Sequence, residues 1–307
     1  MPPNDFRRQA LVVLNAKSGT GCGPELAEQL RDLFRDNGME ANVVLAHGGD
    51  ALFEAIDGAR AEGTRFIVAG GGDGTQSAVA SRLVDSDLVQ GVLPLGTLNH
   101  FAKDLGMPLK LEDAVRALAE GEVRQVDVGE VNGRTFINNS SIGLYPEIVR
   151  ERELQQLRLG KSKWRALASA SLHATEGRPG LAVRIAAEDE QHLRRTPFVF
   201  IGNNRYVMEG FSIGERETLD AGELALYLGR RTGRLGLVLL ALRALMRRLE
   251  QSADFEMLAG EAFEITTRDK RIRVATDGEV GMMDTPLNYR IRRRALRVLA
   301  PPPAPAK

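Results

Sequence analysis

The sequence RFIVAGGGDGT at residues 65–75 joins an apolar run to four glycines that surround Asp73. The run 65–69 is typical of a buried strand, and the pattern from residue 75 to about 84 predicts a helix. Glycines let a phosphate approach the backbone closely, and the start of a helix offers N–H groups and a favourable field to an anion. A tight turn with an aspartate cap explains one or two of the glycines but not all four. We therefore expect a phosphate-binding loop here.

The residues around this loop alternate between strand and helix patterns. Further strands are predicted at 10–16, 41–45 and 91–94, and further helices at 24–37, 50–61 and 111–119. This alternation predicts a parallel sheet with helices on both faces. Ligands of such sheets bind beyond the carboxyl ends of the strands. Three loops rich in small residues follow strand ends, at 15–21 (NAKSGTG), 70–75 and 94–99 (PLGTLN), and we expect them to form one crevice.

From about residue 123 the sequence changes to short β-type runs. A hairpin is predicted around Asn132-Gly133, because Asn-Gly favours a two-residue turn. Other strands are expected at 181–187, 197–202, 223–228, 262–267, 272–275 and 296–299, with helical stretches at 146–173 and 235–250. The sequence therefore predicts an α/β nucleotide-binding domain at 1–128, a mostly antiparallel β-sandwich domain at 129–300 and a disordered tail at 301–307.

The charged residues are balanced overall but divided unevenly along the chain. Lys and Arg number 41, as do Asp and Glu, and the resulting zero net charge argues against a general nucleic-acid binder. Residues 1–128 hold 12 basic and 19 acidic side chains, and residues 129–307 hold 29 and 22. The difference is either incidental or typical of two domains with different partners. The single cysteine, Cys22, and the lack of a signal-peptide pattern predict a cytoplasmic location.

The motifs, taken in their order, resemble the diacylglycerol kinase catalytic-domain family, which includes bacterial lipid kinases and is related to sphingosine and ceramide kinases. The motifs are NAKSGTG (15–21), GGGDGT (70–75), PLGTLNHFAKDLGMP (94–108), LDAGEL (219–224) and DGE (277–279). The resemblance implies an NAD kinase-like α/β domain, a β-sandwich that binds lipid, and Mg²⁺-assisted transfer of the γ-phosphoryl group of ATP to diacylglycerol or a similar lipid. A sphingoid or ceramide kinase, a metabolite kinase of the NAD kinase type and a non-catalytic regulatory protein remain alternatives.

The resemblance also implies roles for individual residues. Asp73 is implied as the catalytic carboxylate that accepts the lipid hydroxyl proton or helps to hold Mg²⁺. Asp277 is the competing candidate for the base, with Glu279 as a nucleotide or metal partner, although Asp-Gly is also a common turn dipeptide. Glu147 lies where sphingoid-specific members have an acidic residue near the lipid head. The residues expected to contact the nucleotide are Asn15, Ser18, Gly19, Gly71, Gly72, Gly74, Thr75, Gly96, Thr97, Arg158 and Lys163.

Two positions depart from the family pattern. His100 stands where the family commonly has an aspartate after the asparagine of its GT-x-N-D-F-A motif, and Ala221 replaces the second aspartate of LDDG. Those carboxylates support an auxiliary magnesium site in some bacterial members, so the resemblance implies that this chain lacks that site.

The predicted helix at 235–250 combines apolar residues with a high content of arginine. Such a composition suits a helix that lies on an anionic lipid surface. It suits equally a helix that packs on the β domain and exposes its arginines to solvent. Because the substrate implied by the resemblance is a lipid, the protein is expected to be cytoplasmic and to associate peripherally with the inner face of the membrane.

Overall fold

The chain divides into two units, Met1–Val128 with Arg293–Lys307, and Gly129–Arg292. The structure, a computed structural model, describes residues 6–16, 23–143, 181–187, 190–209, 212–229 and 255–302. The helices predicted at 146–173 and 235–250 and most of the predicted tail lie outside these residues. The structure assigns residues 293–300, which the sequence analysis placed in the second domain, to the first unit, because the chain returns there at its end.

The first unit begins with strands and helices in alternation. Its elements are β1 (Gln9–Asn15), α1 (Pro24–Asp36), β2 (Glu40–Ala46), α2 (Gly49–Ala61), β3 (Phe66–Gly71), α3 (Asp73–Leu83), β4 (Val89–Pro94), α4 (His100–Asp104) and α5 (Leu111–Glu120). The four strands lie in the order β2-β1-β3-β4, and all three pairings are parallel. The predicted α/β fold of this half is confirmed, and the sequence analysis missed only the short helix α4 among these elements.

Burial explains why the first unit adopts this fold. Every residue of β3 and β4 is buried, as expected for central strands covered by helices on both faces. Helix α1 buries Ala27, Leu30 and Phe34, which lie on one face at helical spacing. Leu26 and Leu33 in the same helix are half-buried.

The second unit consists of short strands. Its elements are the end of β5 (Glu122–Val131), then β6 (Arg134–Phe136), β7 (Asn139–Gly143), β8 (Leu181–Ala187), β9 (Glu190–Thr196), β10 (Phe198–Asn203), β11 (Tyr206–Glu209), β12 (Ser212–Arg216), β13 (Leu224–Gly229), β14 (Phe255–Gly260), β15 (Ala262–Thr267), β16 (Arg271–Thr276), β17 (Glu279–Asp284) and the start of β18 (Leu287–Ala300). Six strands form a sheet in the order β14-β13-β10-β7-β16-β17. All of its pairings are antiparallel.

A second layer in this unit runs β18-β15-β8-β9, also through antiparallel pairings. The core draws on both layers, with Ile142, Val199 and Leu226 from the six-stranded sheet and Ile185 and Phe263 from the other. Two layers packed face to face over one apolar core form a sandwich. The predicted antiparallel β domain is therefore confirmed.

One polar contact lies inside this core. The Oγ atom of Ser140 and the hydroxyl of Tyr289 are 3.0 Å apart, and Tyr289 is almost fully buried. Burial disfavours the phenolate and raises the pKa of Tyr289 well above its ordinary value. The tyrosine is therefore neutral at physiological pH and can donate a hydrogen bond to Ser140.

The division into units reduces the charge difference seen along the sequence. Four basic residues lie in Arg293–Lys307, so the first unit holds 16 basic and 19 acidic side chains and the second holds 25 and 22. The net charges are then −3 and +3 rather than −7 and +7. The charge division alone therefore gives little support to a strongly basic second domain.

Candidate functional site

The loop between β3 and α3 places Asp73 at the first position of the helix. Gly72 occupies the preceding N-cap position in an extended conformation and has no side chain to cap the helix. The backbone oxygen of Gly72 accepts hydrogen bonds from the N–H groups of Thr75 and Gln76. The first N–H groups of a helix have no partner within it, and Asp73 and Gly74 are the first two residues of α3. These two groups can therefore donate hydrogen bonds to an anion at the helix start.

Asn99 organises the neighbouring loop after β4. Its Oδ1 accepts the Gly96 N–H at 2.9 Å, and its Nδ2 donates to the carbonyl oxygens of Gly96 at 2.8 Å and Pro94 at 3.3 Å. Its φ is +52°, a left-handed conformation that asparagine tolerates better than most residues. This role of Asn99 was not predicted from the sequence, although asparagine is one of the residues that favour such turns.

The loops after β3 and β4 touch through their glycines. A Cβ on Gly96 would lie 2.3 Å from the Cα of Gly72, so neither loop could keep its path if Gly96 had a side chain. A Cβ on Gly71 would lie 2.4 Å from Oγ1 of Thr75. The glycines of the two motifs thus serve close packing of the loops as well as any ligand.

The carboxylate of Asp73 joins the starts of two helices. Its Oδ1 accepts the N–H of Phe101 at 3.1 Å, in the first turn of α4. Asp73 itself is half-buried. A carboxylate has two oxygens and about four acceptor positions, so this bond leaves capacity for a proton or a metal ion. His100, at which the sequence departs from the pattern implied by the resemblance, is the first residue of α4.

The loop after β1 is described only in part. The Nδ2 of Asn15 donates to Oγ1 of Thr75 at 3.3 Å, which connects the end of β1 to the first turn of α3. Residues 17–22, with the predicted nucleotide contacts Ser18 and Gly19, lie outside the described residues. The structure therefore brings Asn15, Gly71, Gly72, Gly74, Thr75 and Gly96 to the same end of the parallel sheet, with Thr97 exposed in the loop after β4.

Asp277 lies in the second unit and accepts three backbone hydrogen bonds. The N–H of Ile137 donates to Oδ2 at 2.8 Å, and those of Asn138 and Asn139 donate to Oδ1 at 2.8 and 3.0 Å. Asp277 and Gly278 both have positive φ, as in a two-residue hairpin turn. This geometry favours the turn interpretation of DGE, and the role of Asp277 as a base stays a prediction. The side chain of Glu279 is exposed and forms an ion pair with Arg134 at 2.7 Å.

We expect Asp277→Asn to destabilise the protein, because one amide oxygen replaces two carboxylate oxygens and the new NH₂ group must face a backbone N–H. An unsatisfied buried group costs about 1–3 kcal/mol, and the urea midpoint is expected to fall accordingly. The matched control is Glu279→Gln, which affects only an exposed ion pair and should cost less than about 1 kcal/mol. Equal midpoints for the two variants would contradict a structural role of Asp277.

Several predicted site residues lie in parts of the chain that the structure does not describe. Arg158, Lys163 and Glu147 lie outside the described residues. Within the described ranges, no cluster of three or more His, Cys, Asp or Glu side chains could hold a metal ion, and no helix is long and apolar enough to cross a membrane. Ala221 lies in the turn before β13.

Residues 9–131 match the family model of the diacylglycerol kinase catalytic domain. The part of the chain from β1 to β5 therefore resembles a diacylglycerol kinase catalytic domain. This domain includes the loops after β1, β3 and β4 and ends at the last residue of β5. The resemblance inferred from the motifs is therefore confirmed for this part of the chain.

Comparisons with individual proteins agree with this assignment. The chain is 38% identical over 149 residues to a protein of Enterobacter sp. (strain 638) named probable lipid kinase YegS-like. This alignment covers 47% of this chain and 48% of the relative. It is 37% identical over 151 residues to the probable lipid kinase YegS of Escherichia fergusonii. This alignment covers 46% of this chain and 48% of the relative. The chain thus matches about half the length of these curated relatives.

Solved structures extend the similarity of fold to nearly the whole chain. The crystal structure of a diacylglycerol kinase from Bacillus anthracis str. Sterne has a TM-score of 0.70 at 17% identity, with 96% of this chain and 97% of that chain covered. Another structure from the same strain has a TM-score of 0.75 at 20% identity and covers 96% and 98%. Both units of this chain therefore have the folds seen in these two structures.

Proposed function

We propose that the protein is an ATP-dependent lipid kinase that phosphorylates a hydroxyl group of diacylglycerol or a similar lipid. The observation that carries the proposal is the position of Asp73. It lies within the part of the chain that resembles a diacylglycerol kinase catalytic domain, at the start of α3 and beside N–H groups that can donate to an anion. A carboxylate next to an anion site is unfavourable unless it accepts a proton or binds a cation, and phosphoryl transfer requires both functions.

The loops after β3 and β4 suit the phosphates of ATP. The N–H groups of Asp73 and Gly74 point out of the first turn of α3, where the helix field favours negative charge. A Cβ on Gly74 would meet no described atom within 4 Å, so this glycine is not required for packing within the protein. Its bare backbone instead suits a phosphate that approaches the helix start closely.

The proposed reaction assigns one proton transfer to Asp73. The lipid hydroxyl oxygen forms a bond to the γ-phosphorus of ATP while the bond between that phosphorus and the β–γ bridging oxygen breaks. The hydroxyl proton moves to the carboxylate of Asp73, and ADP leaves with the electron pair of the broken bond. The bond from the Phe101 N–H holds the carboxylate in place. A positioned base of this kind contributes about 10²–10⁴ in rate.

The residues present also fit a magnesium ion carried by the nucleotide. Mg²⁺ is commonly held by one or two carboxylates together with substrate phosphates and water, and Asp73 is a carboxylate in the loop. When bound, the ion would neutralise charge on the phosphates. Asp73 would hold the ion beside ATP, and the N–H groups at the start of α3 would bind the phosphates.

Because the proposed acceptor is a membrane lipid, we also propose that the protein works at the inner face of the membrane as a peripheral enzyme. The second unit, whose net charge is +3, is the part that we assign to lipid binding. A small net charge predicts weak, salt-sensitive attraction to anionic lipid rather than stable anchoring.

A panel of acceptors with labelled ATP and Mg²⁺ tests the proposed function. Diacylglycerol, monoacylglycerol, ceramide, sphingosine and phosphatidylglycerol would be supplied in mixed micelles, and NAD would be supplied in solution. Incorporation of label into one of the glycerolipids is the expected result. Labelling of ceramide or sphingosine alone would favour the sphingoid alternative, and labelling of NAD alone would contradict the proposal.

Gly74→Ala is expected to weaken ATP binding without a loss of stability. Alanine is a better helix former than glycine by about 1 kcal/mol, and its methyl group would project into the space proposed for a phosphate. The KM for ATP should rise, and the thermal midpoint should stay constant or rise. Gly58→Ala in α2, where a Cβ would also meet no described atom within 4 Å, is the matched control and should leave the KM unchanged. A wild-type KM in Gly74→Ala would place the phosphates elsewhere.

A further inference from the structure

Two buried glutamines lie directly beneath the loop of Asp73. Gln76, the fourth residue of α3, is 2% exposed, and Gln90, the second residue of β4, is fully buried. Apart from Gln90, β3 and β4 consist of apolar residues, glycine and proline, and all of them are buried. A leucine or methionine would fill either position without the cost of burying a carboxamide. Two buried carboxamides at these positions therefore indicate a role other than filling the core.

The Gln76 amide connects α3 to the strand before it. Its Nε2 donates to the carbonyl oxygen of Ala69 at 2.9 Å, with longer contacts to the carbonyls of Leu93 at 3.4 Å and Gly71 at 3.5 Å. These three carbonyls belong to the carboxyl-terminal parts of β3 and β4, where the two loops begin. The amide thus joins the helix to both strand ends at a point three residues from Asp73.

Gln90 completes the arrangement from the strand. Its Nε2 lies 3.1 Å from both Oε1 and the backbone oxygen of Gln76. Gln90 therefore orients the Gln76 carboxamide so that its NH₂ group faces the carbonyls of the strands. The Oε1 of Gln90 is buried and has no hydrogen-bond partner among the described residues. An unsatisfied buried oxygen is unfavourable, so the pair is costly for stability alone.

The geometry points to Gln76 and Gln90 as positioning residues that fix the first turn of α3, and with it Asp73, against the ends of β3 and β4. The start of α3 has no side-chain cap, because its N-cap residue is Gly72. Directional hydrogen bonds from Gln76 supply a constraint that apolar packing lacks. Displacement of a catalytic group by about 1 Å can cost about 10² in rate, so such a constraint is worth its cost in stability.

The inference rests on the proposed function of Asp73, and the test uses the full chain with Gln76→Met, Gln90→Met and the double variant. Gln90→Met leaves Oε1 of Gln76 without its donor, and Gln76→Met leaves Nε2 of Gln90 with only the backbone oxygen of residue 76, so both should lower the thermal midpoint. The double change replaces both partners by apolar groups of similar size, which can be nearly neutral, so the midpoint should recover. A positioning role predicts that kcat stays lowered, by about tenfold or more, with an unchanged KM for the lipid.

A second measurement does not depend on activity. Backbone hydrogen exchange at residues 71–77 is expected to be faster in the double variant than in the wild type, because the first turn of α3 opens more readily. Recovery of the midpoint together with wild-type kcat and wild-type exchange in the double variant would overturn the inference. If the double variant does not fold, hydrogen exchange in Gln90→Met tests the inference instead. Faster exchange at residues 71–77 is expected, and unchanged exchange would contradict the inference.

The failure of this inference and that of the proposed function are distinguishable. A wild-type protein that phosphorylates no acceptor would remove the proposed function, and the hydrogen-exchange comparison would still test whether the glutamines fix the loop. A wild-type protein that is active, with variants of equal kcat and equal exchange, would leave the function intact and remove the positioning role.

Discussion

Asp73→Asn is expected to lower kcat for lipid phosphorylation by about 10²–10⁴, the usual contribution of a positioned general base. Asparagine has nearly the same shape and keeps one oxygen, which can still accept the Phe101 N–H that Asp73 now accepts at 3.1 Å. The tie between the starts of α3 and α4 should therefore survive, and the thermal midpoint should stay close to that of the wild type. Only the capacity to take a proton and to bind a cation is removed.

Two comparisons make this result specific. Asp73→Ala loses both the charge and the acceptor, so activity should fall as far and the free energy of unfolding should fall as well, by about 1 kcal/mol. Asp113→Asn removes another carboxylate from the first turn of a helix, α5, where it forms an exposed ion pair with Arg116. It should leave kcat unchanged. Substantial activity in Asp73→Asn would exclude Asp73 as the base and return attention to Asp277.

The fold of the first unit could be predicted because its signals are local. Strands β1 and β3 contain apolar runs, and helices α1 and α5 have apolar residues at helical spacing. Helix α4 was missed because its five residues are too few to show a period. Its first turn depends on Asn99 in the preceding loop and on Asp73 from another loop.

Strands in the second unit were missed where pairing, rather than the strand's own residues, produces them. Strand β9 reads EQHLRRT, which is polar on both faces, and it forms by pairing with β8. Strand β18 was predicted only at 296–299, because its earlier part is rich in arginine. Arg290 and Arg292 in that part form ion pairs with Glu130, whose side chain is 9% exposed. A charged strand of this kind depends on a buried partner that lies far away in the sequence.

The candidate site was predicted only in part, because some of its contacts join residues that lie far apart in the sequence. The glycines and Asp73 form contiguous motifs, so the sequence indicates them directly. Asp277 is held by backbone groups 138 to 140 residues earlier in the chain, and the amide of Gln76 is oriented by Gln90, 14 residues later on a different element. Such contacts exist only once the sheets have formed, and no local sequence pattern predicts them.

Gly96→Ala is expected to lower kcat/KM for ATP by about 10² through displacement of the loop after β3. A Cβ at this position would lie 2.3 Å from the Cα of Gly72 and 2.8 Å from Oδ1 of Asn99. The first of these atoms is backbone and cannot rotate away, so the two loops must separate. Separation would move the N-cap of α3, and hence the N–H groups proposed to bind phosphate. The contact with Oδ1 of Asn99 would also disturb the hydrogen bond that this oxygen accepts from the Gly96 N–H.

Overpacking also costs about 1–3 kcal/mol of stability, so the control must reproduce that cost without moving the loop. Gly91→Ala in β4 does so, because its Cβ would lie 2.9 Å from the ring of Phe66 and 3.0 Å from Cγ2 of Val68, which are side-chain atoms in the core. Both variants should have lower thermal midpoints, but only Gly96→Ala should lose ATP affinity at a temperature where both are folded. An equal loss of kcat/KM in the two variants would mean that activity follows general stability, and that contact between the loops has no special part in binding the nucleotide.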